Sequence, residues 1–137
     1  MIAQGIALSA KQAFLFGMHQ PTDTYKIALY TKRANIGPAT ERYTDEGEVS
    51  GQGYTRGGIT LTGYKVTTVG KNAAITFADV KIDRATFTAH GAIVYNASKN
   101  NSVLCTLNFG NDRPVFDGAF EIRFPQPNEN SALILFA

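Results

Sequence analysis

The chain has 137 residues and a formal net charge of +2. That length suits one domain and excludes a large multi-domain enzyme. With 44% hydrophobic and 18% charged residues it has the balance of a folding chain, and so small a net charge gives no footprint for nucleic acid.

In chain order, the first predicted element is a helix over residues 9–17, inside an apolar stretch from Leu8 to His19. Ser9 is placed to cap it and Gly17 to end it. Beyond Pro21 the period changes, and Tyr25, Ile27 and Leu29 share one face of a strand over 24–31. Residues 32–58 are charged, glycine-rich and poor in apolar side chains. They are expected to form a long exposed loop, and loops of that length usually carry function. Ile59 and Leu61 then lie in one phase and Tyr64 and Val66 in the other, which predicts a strand bent by a bulge at Gly63.

Gly70-Lys71-Asn72 is a turn signal, and a short strand is expected over 73–78. Phe87, Ala89, Gly91, Ile93 and Tyr95 alternate with Thr88, His90, Ala92 and Val94. A turn over Asn96 to Asn101 follows, then a strand with Val103, Cys105, Leu107 and Phe109 on one face. Phe116, Gly118, Phe120, Ile122 and Phe124 repeat the alternation. The last residues, Ala132 to Ala137, are apolar on both faces, so they need cover from the domain's own sheet or from a partner. About eight short strands with Gly, Asn, Asp and Pro turns make an all-β, jelly-roll-like β-sandwich with one short N-terminal helix, spanning 1–137 as a single domain.

The chemistry-bearing residues give little sign of catalysis. Cys105 has no cysteine to pair with, and its apolar neighbours make it a buried small hydrophobe. His19, at a helix end, and His90, in a strand, are too few for a metal site. A charged His19 would interact well with the helix dipole. The run Gly51-Gln52-Gly53-Tyr54-Thr55-Arg56 fails as a phosphate loop. Arg56 stands where the third glycine belongs, and the segment leads into a strand. Glu41, Asp45, Glu46 and Glu48 are read as solvated acids or as a negative patch. Asn96-Ala97-Ser98 and Asn100-Asn101-Ser102 match a glycosylation pattern but are read as turns. No run approaches about 20 apolar residues, so no membrane span is expected. A start without a basic segment predicts no secretory leader. No cofactor or metal is expected.

The order of several pieces carries a resemblance. They are Asp23-Thr24-Tyr25-Lys26-Ile27-Ala28-Leu29-Tyr30-Thr31, Tyr43-Thr44, Gly47-Glu48-Val49, Gly51-Gln52-Gly53-Tyr54-Thr55, Gly57-Gly58, Leu61-Thr62-Gly63 and Ala85 to Tyr95. Over about residues 12–124 the chain resembles the capsid decoration, or cement, proteins of short-tailed bacteriophages. The resemblance implies a non-enzymatic jelly-roll protein on the outer surface of an HK97-type shell. It implies a homodimer that bridges major capsid subunits, with no direct contact to nucleic acid or membrane. The alternative is a phage tail or receptor-binding β-sandwich that takes a glycan or small ligand. Candidate partner contacts are Glu46, Glu48, Tyr54 and Arg56 in the loop, and Leu133, Leu135 and Phe136 at the C-terminus.

Overall fold

The computed structural model describes residues 1–125 and 133–136. The protein is an all-β sandwich, with eight strands and one short helix among the described residues. Strands β1 (Gly5–Ile6), β2 (Tyr25–Tyr30), β3 (Ile59–Thr60), β6 (Val80–Asn96) and β7 (Ser102–Ile122) form a five-stranded antiparallel sheet ordered β1-β7-β6-β2-β3. Strands β4 (Lys65–Val69), β5 (Asn72–Thr76) and β8 (Ile134–Phe136) form a three-stranded antiparallel sheet ordered β4-β5-β8.

Both faces of the large sheet are apolar. In β2, Tyr25, Ile27 and Leu29 enter a core shared with Ile75 and Ile134 of the small sheet, while Ala28 and Tyr30 enter a second core on the opposite face. The small sheet and an aromatic group fill the first core. Tyr25 stacks on Tyr64 at 4.9 Å and tilts against Phe77 at 5.4 Å, and Phe87 meets Phe120 at 5.0 Å. Cys105 lies in this core, where burial raises its thiol pKa to about 12 and leaves it inert.

The second core has no opposing sheet. It is covered by the N-terminal segment, helix α1 (Leu8–Leu15) and residues from 32–58. The 32–58 connection is therefore not the free exposed loop that its composition suggests. Ala34, Ile36, Glu48 and Val49 are buried, and isolated bridges tie Ile36 to Ile2, Glu48 to Tyr30, Arg42 to Ser102 and Gln52 to Thr86. The segment is a strap across the sheet.

Three local expectations about where elements begin, join and end are corrected. Ser9 does not cap α1. Ala7 holds the N-cap position without a side-chain bond, and the Ser9 Oγ is buried without a partner. Gly17 does end the helix, at φ +71°. Gly63 is a crossing between sheets, not a bulge within a strand: Ile59 pairs with Ile27 in the large sheet and Lys65 with Thr76 in the small one. Its φ of +70° requires glycine, and so does Ala78, whose atoms come within 3.1 Å of where a β-carbon would stand. The two strands expected over 103–109 and 116–124 are one 21-residue strand, β7, paired with the 17-residue β6.

Register shifts along that pair re-aim the side chains. Val94 pairs with Cys105 but Tyr95 with Val103, so Val103 joins the second core and not the face of Cys105. Between the Phe87–Val115 and Ala85–Gly118 pairs, Phe116 and Asp117 oppose Thr86 alone. Asp117 takes a φ of +44°, its N–H donates to the Thr86 Oγ1 at 3.0 Å, and Phe116 turns outward to 87% exposure. Of the turn expected over 96–101, Asn96 still belongs to β6 and 97–101 form the turn, with Asn100 and Asn101 at φ +57° and +56°.

These placements separate two phenylalanines of one predicted face. Phe120→Ala is expected to cost about 3–5 kcal/mol in urea unfolding, the range for emptying a core aromatic site. Phe116→Ala is expected to change stability by no more than about 0.5 kcal/mol, as at an ordinary surface position. Equal effects would contradict the bulge.

Candidate functional site

The strap is organised around one buried carboxylate. Val49 N–H donates to the Leu29 carbonyl at 3.0 Å and Thr31 N–H to the Gly47 carbonyl at 2.9 Å, which lays Glu48 beside the end of β2. The Glu48 side chain is inside the protein and accepts three hydrogen bonds. The Tyr43 hydroxyl donates to Oε1 at 2.5 Å, and the Tyr54 hydroxyl and the Gly57 N–H (2.9 Å) donate to Oε2. Two more tyrosines fasten the same segment: Tyr30 donates to the Thr44 carbonyl and Tyr95 to the Gly57 carbonyl, each at 2.5 Å. Tyr54 also accepts from the Leu29 N–H at 3.0 Å. Burial first, and then the bond to Glu48, raise the pKa of Tyr43 and Tyr54 well above that of a free phenol, so both remain donors.

The candidate contacts thus divide. Glu48 and Tyr54 are bonded to one another inside the strap. Glu46 is exposed, and Arg56 forms an exposed ion pair with Asp45 at 3.0 Å. A groove beside them is lined by Lys32, Arg33, Glu46, Ser50 and Asp112, and Asp112 faces the His90 Nδ1 at 2.8 Å. At the C-terminus, Leu135 and Phe136 pair with Ala74 and Ala73, and Leu133 packs against the first core. The domain's own sheet therefore takes up β8. Ala132 and Ala137 lie outside the described residues.

A second polar constellation, which sequence reasoning missed, lies behind α1. His19 is not a solvent-facing cation at a helix end. It is 7% exposed, and its Nδ1 is 3.0 Å from the Asn96 Nδ2. Asn96 gives its second amide hydrogen to the Asp23 Oδ2 at 2.8 Å and accepts from the Ser98 N–H at 3.0 Å. With both amide hydrogens donated, the His19 Nδ1 is the acceptor and the ring proton sits on Nε2. Desolvation lowers the His19 pKa; Asp23 opposes this and Lys99 adds to it. Burial alone would raise the pKa of Asp23, but bonds from Asn96, Lys99 and the Gln20 N–H outweigh it and hold the carboxyl below its ordinary range.

Among the described residues, no three His, Cys, Asp or Glu side chains converge in a way that could hold a metal ion. No helix among them is long and apolar enough to cross a membrane. No known protein family, curated protein or solved structure matches the chain.

The buried groups set measurable expectations. Glu48→Ala is expected to destabilise the protein by about 3 kcal/mol or more in urea unfolding, because three donors lose a charged acceptor. Tyr54→Phe, which keeps the ring, is expected to cost about 1–2 kcal/mol, and the reverse order would contradict the hub. For His19 the folded pKa is the lower one. The unfolded chain therefore binds the extra proton first, and stability declines as pH falls below about 6.5, the free histidine value. The depressed Asp23 carboxyl adds a further loss below about pH 3.9. An NMR titration is expected to place the His19 midpoint below that of a free histidine; a raised midpoint would contradict this account.

Proposed function

We propose that the protein is a non-enzymatic decoration protein of a phage capsid. It sits on the outer surface of an HK97-type shell, as a homodimer that bridges major capsid subunits and stabilises the lattice. The resemblance of residues 12–124 to cement proteins supplies the identity. The structural observation that supports it is the strap. A lattice contact needs polar side chains held in fixed positions, so that little ordering entropy opposes docking. Glu48 and four tyrosines lock the 43–57 stretch to the sheet, which leaves Glu46, Asp45 and Arg56 on a rigid support. Two such contacts in a dimer raise avidity by about 10²–10⁴ without new chemistry.

The strap also dictates the experiment. Deleting 32–58 would remove Ala34, Ile36 and Val49 from the cores, and removing β8 would take out the fully buried Ile134. Point changes at exposed positions avoid both problems. A Glu46→Lys, Arg56→Glu double variant is expected to keep the parent's thermal midpoint yet bind undecorated shells about tenfold more weakly. Decorated shells are expected to open at higher temperature than bare ones. Equal shell stability with and without the protein, or its recovery only in tails, would overturn the assignment.

A further inference from the structure

Between α1 and the strap lies an open cleft of about 330 Å³, at the small end of ligand-pocket sizes. Its polar lining comes from Ser9, Gln12, His19, Glu41, Arg42 and Ser102, and Phe16 also lines it, 74% exposed. The Ser9 Oγ and the His19 Nε2 are buried and have no hydrogen-bond partner. For His19 this is a specific kind of orphan. Asn96 fixes the tautomer, so the Nε2 carries a hydrogen and is a donor with nothing to receive it.

We propose that this cleft binds a single neutral sugar ring. The inference does not depend on the capsid reading. Three features select the ligand class. First, the groups are of both kinds: His19 and Arg42 donate, Glu41 accepts, and the Ser9 hydroxyl and Gln12 amide do either. Hydroxyls, which donate and accept from one atom, match such a set better than a carboxylate or an amine does. Second, Glu41 and Arg42 carry opposite charges side by side, so the lining favours neither an anion nor a cation. Third, the exposed ring of Phe16 offers a flat apolar surface for the C–H face of a pyranose. The volume admits one ring and not a chain.

The two orphan groups are closed to solvent, so a sugar hydroxyl has to part the side chains above them. Phe16 and Met18 of the lining are 74% and 40% exposed. They flank Gly17, which has open space around its α-carbon. Satisfying two buried polar groups that have no other partner is the gain that makes this displacement favourable.

The test is an NMR titration of the full-length ¹⁵N-labelled protein with the methyl glycosides of glucose, galactose, mannose and N-acetylglucosamine, and separately with acetate. At least one glycoside is expected to shift the amides of residues 9–19 and 41–42 and the His19 Nε2–H signal, saturably and in the millimolar range. Acetate is expected to leave them in place. Phe16→Ala is expected to weaken binding about tenfold, the scale of one lost aromatic contact, with the spectrum otherwise unchanged. If that variant loses its folded spectrum, Gln12→Ala, at an exposed position, takes its place with the same expectation. The proposal fails if no glycoside moves these residues, if acetate moves them and no glycoside does, or if the folded variant binds as tightly as the parent.

Discussion

A sheet that is apolar on both faces needs two covers, and most of this structure follows from how the second one is made. The first cover is regular: strands β4, β5 and β8 pair with one another and bring Ile75 and Ile134 against β2. The second is a helix of eight residues and a long irregular strap. An irregular segment has no ladder to satisfy its backbone groups, yet every buried N–H and C=O still needs a partner. Here isolated backbone bridges supply some of those partners and side chains supply others. Tyr30 and Tyr95 bond the carbonyls of Thr44 and Gly57, Tyr54 receives the Leu29 N–H, and Glu48 receives the Gly57 N–H.

That arrangement explains why a carboxylate is buried where a hydrophobe would cost less to desolvate. Leucine at position 48 would fill the space but accept nothing from Tyr43, Tyr54 or Gly57. The strap would then have many packings of similar energy. A group that accepts from three points separated in sequence, 43, 54 and 57, permits one path of the chain between them. The stacking of Tyr43 on Tyr95 at 5.0 Å holds the same geometry from the sheet side. The hub ties these three points of the strap to one acceptor.

The legible parts of the fold are those governed by period and turn chemistry. Alternation puts Tyr25, Ile27 and Leu29 on the face they occupy, Gly17 and Asn100 mark real chain reversals, and the described residues hold eight strands where about eight are expected. The division of the chain among them is less legible. Gly63 joins two strands of different sheets, while 103–109 and 116–122 belong to one strand. Alternation counts residues and cannot see a bulge, so each irregularity between β6 and β7 inverts the inferred face downstream of it. Val103 and Phe116 are misplaced for this reason. The strap is illegible because composition reports charge and glycine, whereas its anchoring depends on Ala34, Ile36 and Val49 meeting faces built from distant parts of the chain. His19 offers a weak signal: burial first, then the nearby Asp23 and the sequence-distant Lys99, decide its charge, and the equally distant Asn96 fixes its tautomer.

Helix α1 shows most clearly what the fold uses and what it leaves over. Its buried face is built from Ala10 and Ala13, small enough for close approach to β7, whose Leu104 carbonyl receives the Ala7 N–H at 2.9 Å. Of its large apolar residues only Phe14 packs inward, while Leu8, Leu15 and the C-cap Phe16 point the other way at 71%, 89% and 74% exposure. A helix shaped only by its own domain would reverse this pattern and turn leucine inward. Lone apolar side chains on a surface need no explanation, but here they continue onto an aromatic ring lining a cleft with two unsatisfied polar groups. The same strap that supplies Glu41 and Arg42 to that cleft presents Glu46 and Arg56 a few residues later. Both surfaces therefore depend on the cover of the second core, and the Glu48 hub that fixes its path sets the position of each.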